Sequence, residues 1–145
     1  MGWTDSHLHH FIDPPLVYSV PSGEDYPGVV EQLDERRFRL ADLARHEKAS
    51  FIYEYDFGDG WEHEVVVEKI VPVGPEKQRA ICLAGENACP PEDCGGIGGY
   101  YELLEAVNNP KHEAHQEMLD WLGDQFDPGR FDLQEVNATL RRLKL

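Results

Sequence analysis

Apolar and polar positions alternate most sharply between Phe51 and Glu68. Phe51, Tyr53, Tyr55 and Phe57 fall on one face at a spacing of two, with Glu54 and Asp56 on the other. That is the side-chain period of a β-strand. Gly58-Asp59-Gly60 follows, a set that tolerates the positive φ of a tight turn. On the return, Trp61, His63, Val65 and Val67 share a face, opposed by Glu62, Glu64 and Glu68. The pattern predicts a β-hairpin with Trp61 and His63 turned inward and the glutamates in water.

The same period runs through Trp3, Asp5, His7, His9 and Phe11, predicting a strand over Trp3 to Ile12 that Asp13-Pro14-Pro15 stops. On that alternation His10 points outward to solvent. Leu16 to Val20 extends or pairs with this strand, and Pro21 to Gly28 has loop composition. Residues 29–39 match no single template. Leu40 to His46 reads as a short helix, and Gln78 to Ala84 as a further strand after a loop at Pro72 to Pro75. A Gly-, Pro- and Cys-rich loop over Gly85 to Gly99 then gives way to helical spacing. Helices are predicted at Tyr100 to Val107, Lys111 to Leu122 and Leu133 to Leu143, separated by Asn108-Asn109-Pro110 and by Gly123. Tyr101, Leu104 and Val107 form the expected inward stripe of the first. Strands first and helices last, joined by hairpins, predict one α+β domain over residues 1–145, its mostly antiparallel sheet covered by C-terminal helices.

Length and composition narrow this further. The 145 residues are enough for one buried core, and 41% apolar with 28% charged residues fits a soluble globular chain. No apolar run is long enough to cross a bilayer and no signal peptide opens the sequence, so cytoplasmic residence is expected. Charge excludes more. Thirteen basic residues face 28 acidic ones, a net −15, and phosphate-driven nucleic-acid binding needs the opposite balance. The basic groups at Arg36, Arg37, Arg39, Arg45 and Lys48, and at Arg141, Arg142 and Lys144, read as solvated helix faces.

Candidate chemistry gathers in the middle of the chain. Cys82, Cys89 and Cys94 follow a C-x6-C-x4-C spacing. Three soft ligands on a foldable loop, with His63 as fourth, would furnish a tetrahedral zinc site. The competing and plainer reading is three half-buried thiols. An odd number of cysteines argues against a disulfide framework. Pro90-Pro91-Glu92-Asp93 sets two carboxylates on a rigid turn, for acid–base work, for a divalent ion, or as backbone acceptors. Asp59 suits a turn in which its carboxylate bonds its own backbone, while Asp56 joins Glu54 on the polar face. Asp5, His7 and His9 offer three metal-type ligands along one strand, but neighbours on one strand face cannot by themselves close a ligand shell. Gly95-Gly96-Ile97-Gly98-Gly99 precedes a helix without the lysine of a phosphate loop and reads as a sharp turn.

The strings YDFGDGWEH (from Tyr55) and CPPEDCGGIGGY (from Cys89) resemble the plasmid open-reading-frame-three-like family, first named from an Ri plasmid. The resemblance extends to Trp3-x-Asp-x-His-Leu-His-x-Phe11, to Phe126-Asp-Pro-x-x-Phe-Asp132 and to Val136-Asn137. It implies a small α+β domain in a plasmid or mobile-element setting, and no particular reaction. It also implies a further strand and helix ahead of Trp3, so that this chain is N-terminally shortened and the strand holding Trp3 to Phe11 is left with an open edge. A homodimer is then expected.

The reading is a binding or accessory module for a protein partner, without direct nucleic-acid binding and with no membrane role. Its expected surface combines Asp56, Asp59, Trp61, Glu92 and Asp93, with His63, Cys82, Cys89 and Cys94 as the zinc candidates. Two alternatives stand beside it. One is a metal-dependent hydrolase or nuclease using His63, Asp56, Glu92 and Asp93. The other is an acidic mimic of nucleic acid that binds a basic protein.

Overall fold

The hairpin forms in the expected register. Ser50–Tyr55 (β4) pairs antiparallel with Trp61–Val66 (β5), setting Tyr55 opposite Trp61, Tyr53 opposite His63 and Phe51 opposite Val65. Trp61 is 9% exposed, whereas Glu62 and Glu64 are exposed. A computed structural model describes residues 2–21, 31–72, 80–123 and 126–143. Most of the loop expected at Pro21 to Gly28, and most of that at Pro72 to Pro75, lie outside them.

Three more strands precede the hairpin: His9–Asp13 (β1), Leu16–Ser19 (β2) and Glu31–Asp34 (β3). The sheet order is β3-β2-β1-β4-β5, antiparallel except for the parallel β2–β3 pair. A 3-10 turn (Glu35–Arg37) and a short helix α1 (Leu40–Leu43) follow β3. Three longer helices close the sequence: α2 (Gly96–Asn108), α3 (His115–Leu122) and α4 (Leu133–Leu140). The α+β class and the strands-then-helices order are those expected.

This order corrects the view of the front. β1 is bonded on both sides, to β2 and to β4, so it is central; among the described residues the sheet edges are β3 and β5. The open edge on which the expected homodimer rested is therefore not at β1. The front strand is also shorter than Trp3 to Ile12, because Asp5 takes a φ of 61° and breaks the extended run. Centrality explains His10 too. It is 6% exposed, with Nε2 2.7 Å from Glu54 Oε2, rather than pointing into solvent.

The chain divides into two compact units, described separately. The sheet unit comprises Asp5–Val71 with Gly95–Ile97; the helical unit comprises Met1–Thr4, Pro72–Cys94 and Gly98–Leu145. In the sheet unit the apolar face gathers Tyr18, Leu43 and Phe51, with Phe11, Leu16, Leu33 and Val65 packed against them. Phe11 lies opposite both Tyr18 and Tyr53, and cross-strand aromatic pairs of this kind are what stabilise a sheet face.

In the helical unit, residues 80–84 form no strand. The side-chain amide of Asn137 on α4 bonds that segment instead, accepting from Cys82 N (2.9 Å) and donating to Cys82 O (2.9 Å). An amide reproduces the pairing a neighbouring strand would give. Asp132 caps α4, its Oδ1 accepting from the backbone N–H groups of Gln134 and Glu135. Along α2 the buried side chains are Leu103 and Ala106, while Tyr101 is 67% exposed. The inward stripe is thus shifted from the one expected.

Candidate functional site

The carboxylates of the hairpin turn are engaged by backbone. Asp56 adopts a φ of 56° and is 8% exposed; its Oδ1 accepts from Gly58 N (3.0 Å) and Asp59 N (3.4 Å), while its carbonyl accepts from Gly60 N. This is the self-bonding turn expected of Asp59, displaced by three residues. Asp59 Oδ2 instead accepts from Gly95 N at 3.1 Å. Gly96 follows with a φ of 66°, and a Cβ there would fall on the Asp59 carbonyl. Only glycine permits that approach. The positive φ needed in the turn is supplied by Asp56 and Gly60, not Gly58, and it carries Phe57 off the expected face to within 4.8 Å of the His10 ring.

The histidines diverge. His7 Nδ1 lies 3.6 Å from Asp56 Oδ2, and its ring meets Tyr55 edge-on. His9 lies between Asp5 (3.6 Å) and Glu35 (3.2 Å). His63 Nδ1 sits 3.0 Å from the Tyr53 carbonyl; a carbonyl only accepts, so that nitrogen carries the proton. The Tyr53 hydroxyl is held above its ordinary 10.0 by burial, with smaller contributions from Asp5, Tyr55 and Glu35.

In the helical unit, Glu92 ties the front of the chain to the Pro90-Pro91 turn. Its Oε1 accepts from Thr4 N (2.8 Å) and Thr4 Oγ1 (3.0 Å), while the Trp3 indole N–H donates to Pro90 O at 2.9 Å. Cys82, Cys89 and Cys94 are half-buried and form no disulfide among the described residues. Among the described residues, their sulfurs do not form a set lying within 4.8 Å of one another. Burial pushes the Cys89 thiol above its ordinary 9.0, outweighing hydrogen bonds from the Gly2 and Trp3 backbone. That is the reverse of what activates a nucleophilic thiol. Burial likewise raises the Tyr100 hydroxyl, helped by Cys94 and Cys89.

The site that sequence reasoning did not find is a cleft of about 390 Å³ in the helical unit, along α2 and α3. Asp93, Glu102 and Glu117 give it three carboxylates; Leu103, Met118 and Trp121 give it apolar surface; Cys94 and His112 complete its chemistry. Leu103 is buried, and Trp121 is 50% exposed. No lysine or arginine is among its described lining residues. His115 Nδ1 donates to the Ala106 carbonyl at 2.8 Å, pinning α3 to α2. Gly99 makes room at one wall, since a Cβ there would strike the Cys94 carbonyl. The signal was present as Leu103/Ala106 and Met118/Trp121 at helical spacing, each beside a glutamate, but the pairing of the two helices is not written in either. Of the expected surface residues, Asp93 reaches this cleft, Glu92 anchors Thr4, and Asp56, Asp59 and Trp61 belong to the sheet unit.

A family model described as plasmid pRiA4b ORF-3-like protein matches residues 1–135. The protein y4hQ of Sinorhizobium fredii is 40% identical over 143 residues, covering 97% of this chain and 71% of that protein. A crystal structure of a protein of unknown function from Methanosarcina mazei Go1 superposes with a TM-score of 0.74 at 34% identity, over 93% of this chain and 75% of that one.

Proposed function

We propose, from the premise that the chain belongs to the plasmid pRiA4b ORF-3-like protein family, that it is an accessory binding module. Its α2–α3 cleft seats a cationic, amphipathic segment of a protein partner. The observation that carries this reading is the lining of the cleft: three carboxylates and no described lysine or arginine around Leu103, Met118 and Trp121. Apolar floor with acidic rim matches a segment that is apolar on one side and basic on the other. Met118 adapts to irregular apolar shapes, and the half-exposed Trp121 ring offers a face for a guanidinium. The net charge of −15 adds long-range attraction for a basic partner and repulsion of nucleic acid.

The hydrolase alternative has less support. One oxygen each of Asp56, Asp59 and Glu92 already accepts from the chain itself, from Gly58, Gly95 and Thr4 respectively. These bonds fix loops and hold the carboxylates in a structural role.

Titration with a synthetic peptide bearing arginine and leucine on opposite helical faces tests the reading. Trp121 fluorescence should change on binding, the change should vanish in Trp121→Phe, and affinity should fall as salt rises. Absence of binding at low salt, or affinity unchanged in Trp121→Ala, rejects the cleft as the seat.

A further inference from the structure

Five of the 13 basic residues lie in residues 36–48, where the only acidic ones are Asp42 and Glu47. This local excess of positive charge runs against a chain of net −15. Residues 36–42 are all exposed. Arg36 is held by Asp34 at 2.8 Å and Arg45 by Asp13 at 3.2 Å. Arg37 and Arg39 make no ion pair among the described residues. Phe38 and Arg39 have extended backbone, with φ of −121° and −123°, so their side chains leave on opposite sides. Leu40, which opens α1, is 63% exposed. The run Arg37-Phe38-Arg39-Leu40 thus interleaves two cations with two large apolar side chains on an exposed turn.

We infer, on the reading of the α2–α3 cleft as the seat of a cationic amphipathic segment, that its occupant is the 36–48 stretch of a second copy of this chain. Each surface supplies what the other lacks. The cleft has three carboxylates and no described lysine or arginine around Leu103, Met118 and Trp121. The segment brings Arg37 and Arg39 for the carboxylates and Leu40 for the apolar floor. The cleft of about 390 Å³ admits more than one side chain, since about 150 Å³ takes a body the size of benzene. Two chains of net −15 repel at a distance. At about 0.15 M salt that repulsion is largely screened beyond about 8 Å, while charges in contact at a partly buried seat are screened much less. The two surfaces differ, so the contact is head-to-tail. A pair joined once keeps a segment at one end and a cleft at the other, and further copies can add.

Sedimentation velocity of the full chain at about 0.15 M salt, from roughly micromolar to millimolar concentration, reads the association. The average mass should rise with concentration. Arg37→Gln with Arg39→Gln removes the cations of the segment and keeps the cleft; Glu102→Gln with Glu117→Gln does the reverse. All four residues are exposed, so both variants should fold. Each should weaken self-association about tenfold or more. An equimolar mixture of the two should restore a one-to-one complex, because one brings the cleft and the other the segment. Overall repulsion predicts the opposite at the cleft, since losing two carboxylates leaves the chain less negative. Arg141→Gln with Arg142→Gln, an exposed arginine pair elsewhere, should change association no more than about twofold. A parent chain that stays monomeric throughout, equal weakening by the Arg141 and Arg142 pair, or a mixture that fails to associate would overturn the second copy as occupant. The arginine–leucine peptide separates this from the cleft itself. The Arg37 and Arg39 variant should bind that peptide as the parent does. Peptide binding by a parent that stays monomeric removes only the second copy, whereas a parent that does not bind the peptide loses the cleft and its occupant together.

Discussion

Asp56 and Glu102 carry the same charge in opposite circumstances. Asp56 is buried in the hairpin turn of the sheet unit, its Oδ1 accepting from the Gly58 and Asp59 backbone. Glu102 stands exposed on α2 and lines an apolar cleft with Glu117 and Asp93. Trp61 and Trp121 repeat the contrast, the first buried on β5 and the second half in water. Asp56 and Trp61 are buried in the sheet unit, while Glu102 and Trp121 beside the cleft reach solvent. Residue type alone therefore does not mark function; what each polar atom is bonded to does.

Substitutions at matched pairs should separate the two regions. Trp61→Ala should destabilise by roughly 3–5 kcal/mol in chemical denaturation, because a buried ring leaves a cavity. Trp121→Ala should stay within about 0.5 kcal/mol, as exposed positions do. Comparable losses at both would break the contrast. Gly96→Ala should cost roughly 1–3 kcal/mol from a left-handed backbone, plus its collision with the Asp59 carbonyl. Gly60→Ala shares the positive φ but meets nothing within 4 Å, so it should cost less. Asp56→Ala should lose roughly 1–2 kcal/mol by leaving turn N–H groups unbonded, whereas Glu102→Ala should change stability little and peptide affinity most.

The smallest expected effect lies at alkaline pH. Burial favours the neutral forms of Cys89, Tyr53 and Tyr100 in the folded chain. Their stabilisation is therefore complete below the ordinary ranges of 9.0 for the thiol and 10.0 for the phenols, and is lost as pH rises above them, where the unfolded chain ionises first. All three groups are only partly buried, so the decline should be shallow. Cys89→Ala should remove the part that begins near 9.0; a stability curve flat to pH 11 in the parent chain would contradict the burial.

The hairpin was legible because alternation runs through both strands and Gly60 closes the turn. The front was legible only in part: period two continues through Asp5, but its positive φ is a tertiary outcome that alternation does not record. Glu31–Asp34 has no alternation to read, since it is an edge strand placed by parallel pairing with β2. Residues 80–84 look like a strand in sequence because their backbone does find a partner, which proves to be the Asn137 side chain. Glycines hid the start of α2, which begins at Gly96 rather than Tyr100. The cleft was illegible because it depends on how two helices pair, which the bond from His115 to Ala106 marks in the structure but no local spacing records.

Two double variants, equal in charge and different in place, test the central claim most directly. Glu102→Gln with Glu117→Gln removes two carboxylates from the cleft; Glu62→Gln with Glu64→Gln removes two from the exposed face of β5. Both are titrated with the arginine–leucine peptide at about 0.15 M salt, where exposed charges beyond about 8 Å are largely screened. The cleft pair should weaken binding about tenfold or more, and the β5 pair no more than about twofold. Equal weakening by both pairs would mean that the peptide responds to net charge alone, and the cleft would not be a binding site.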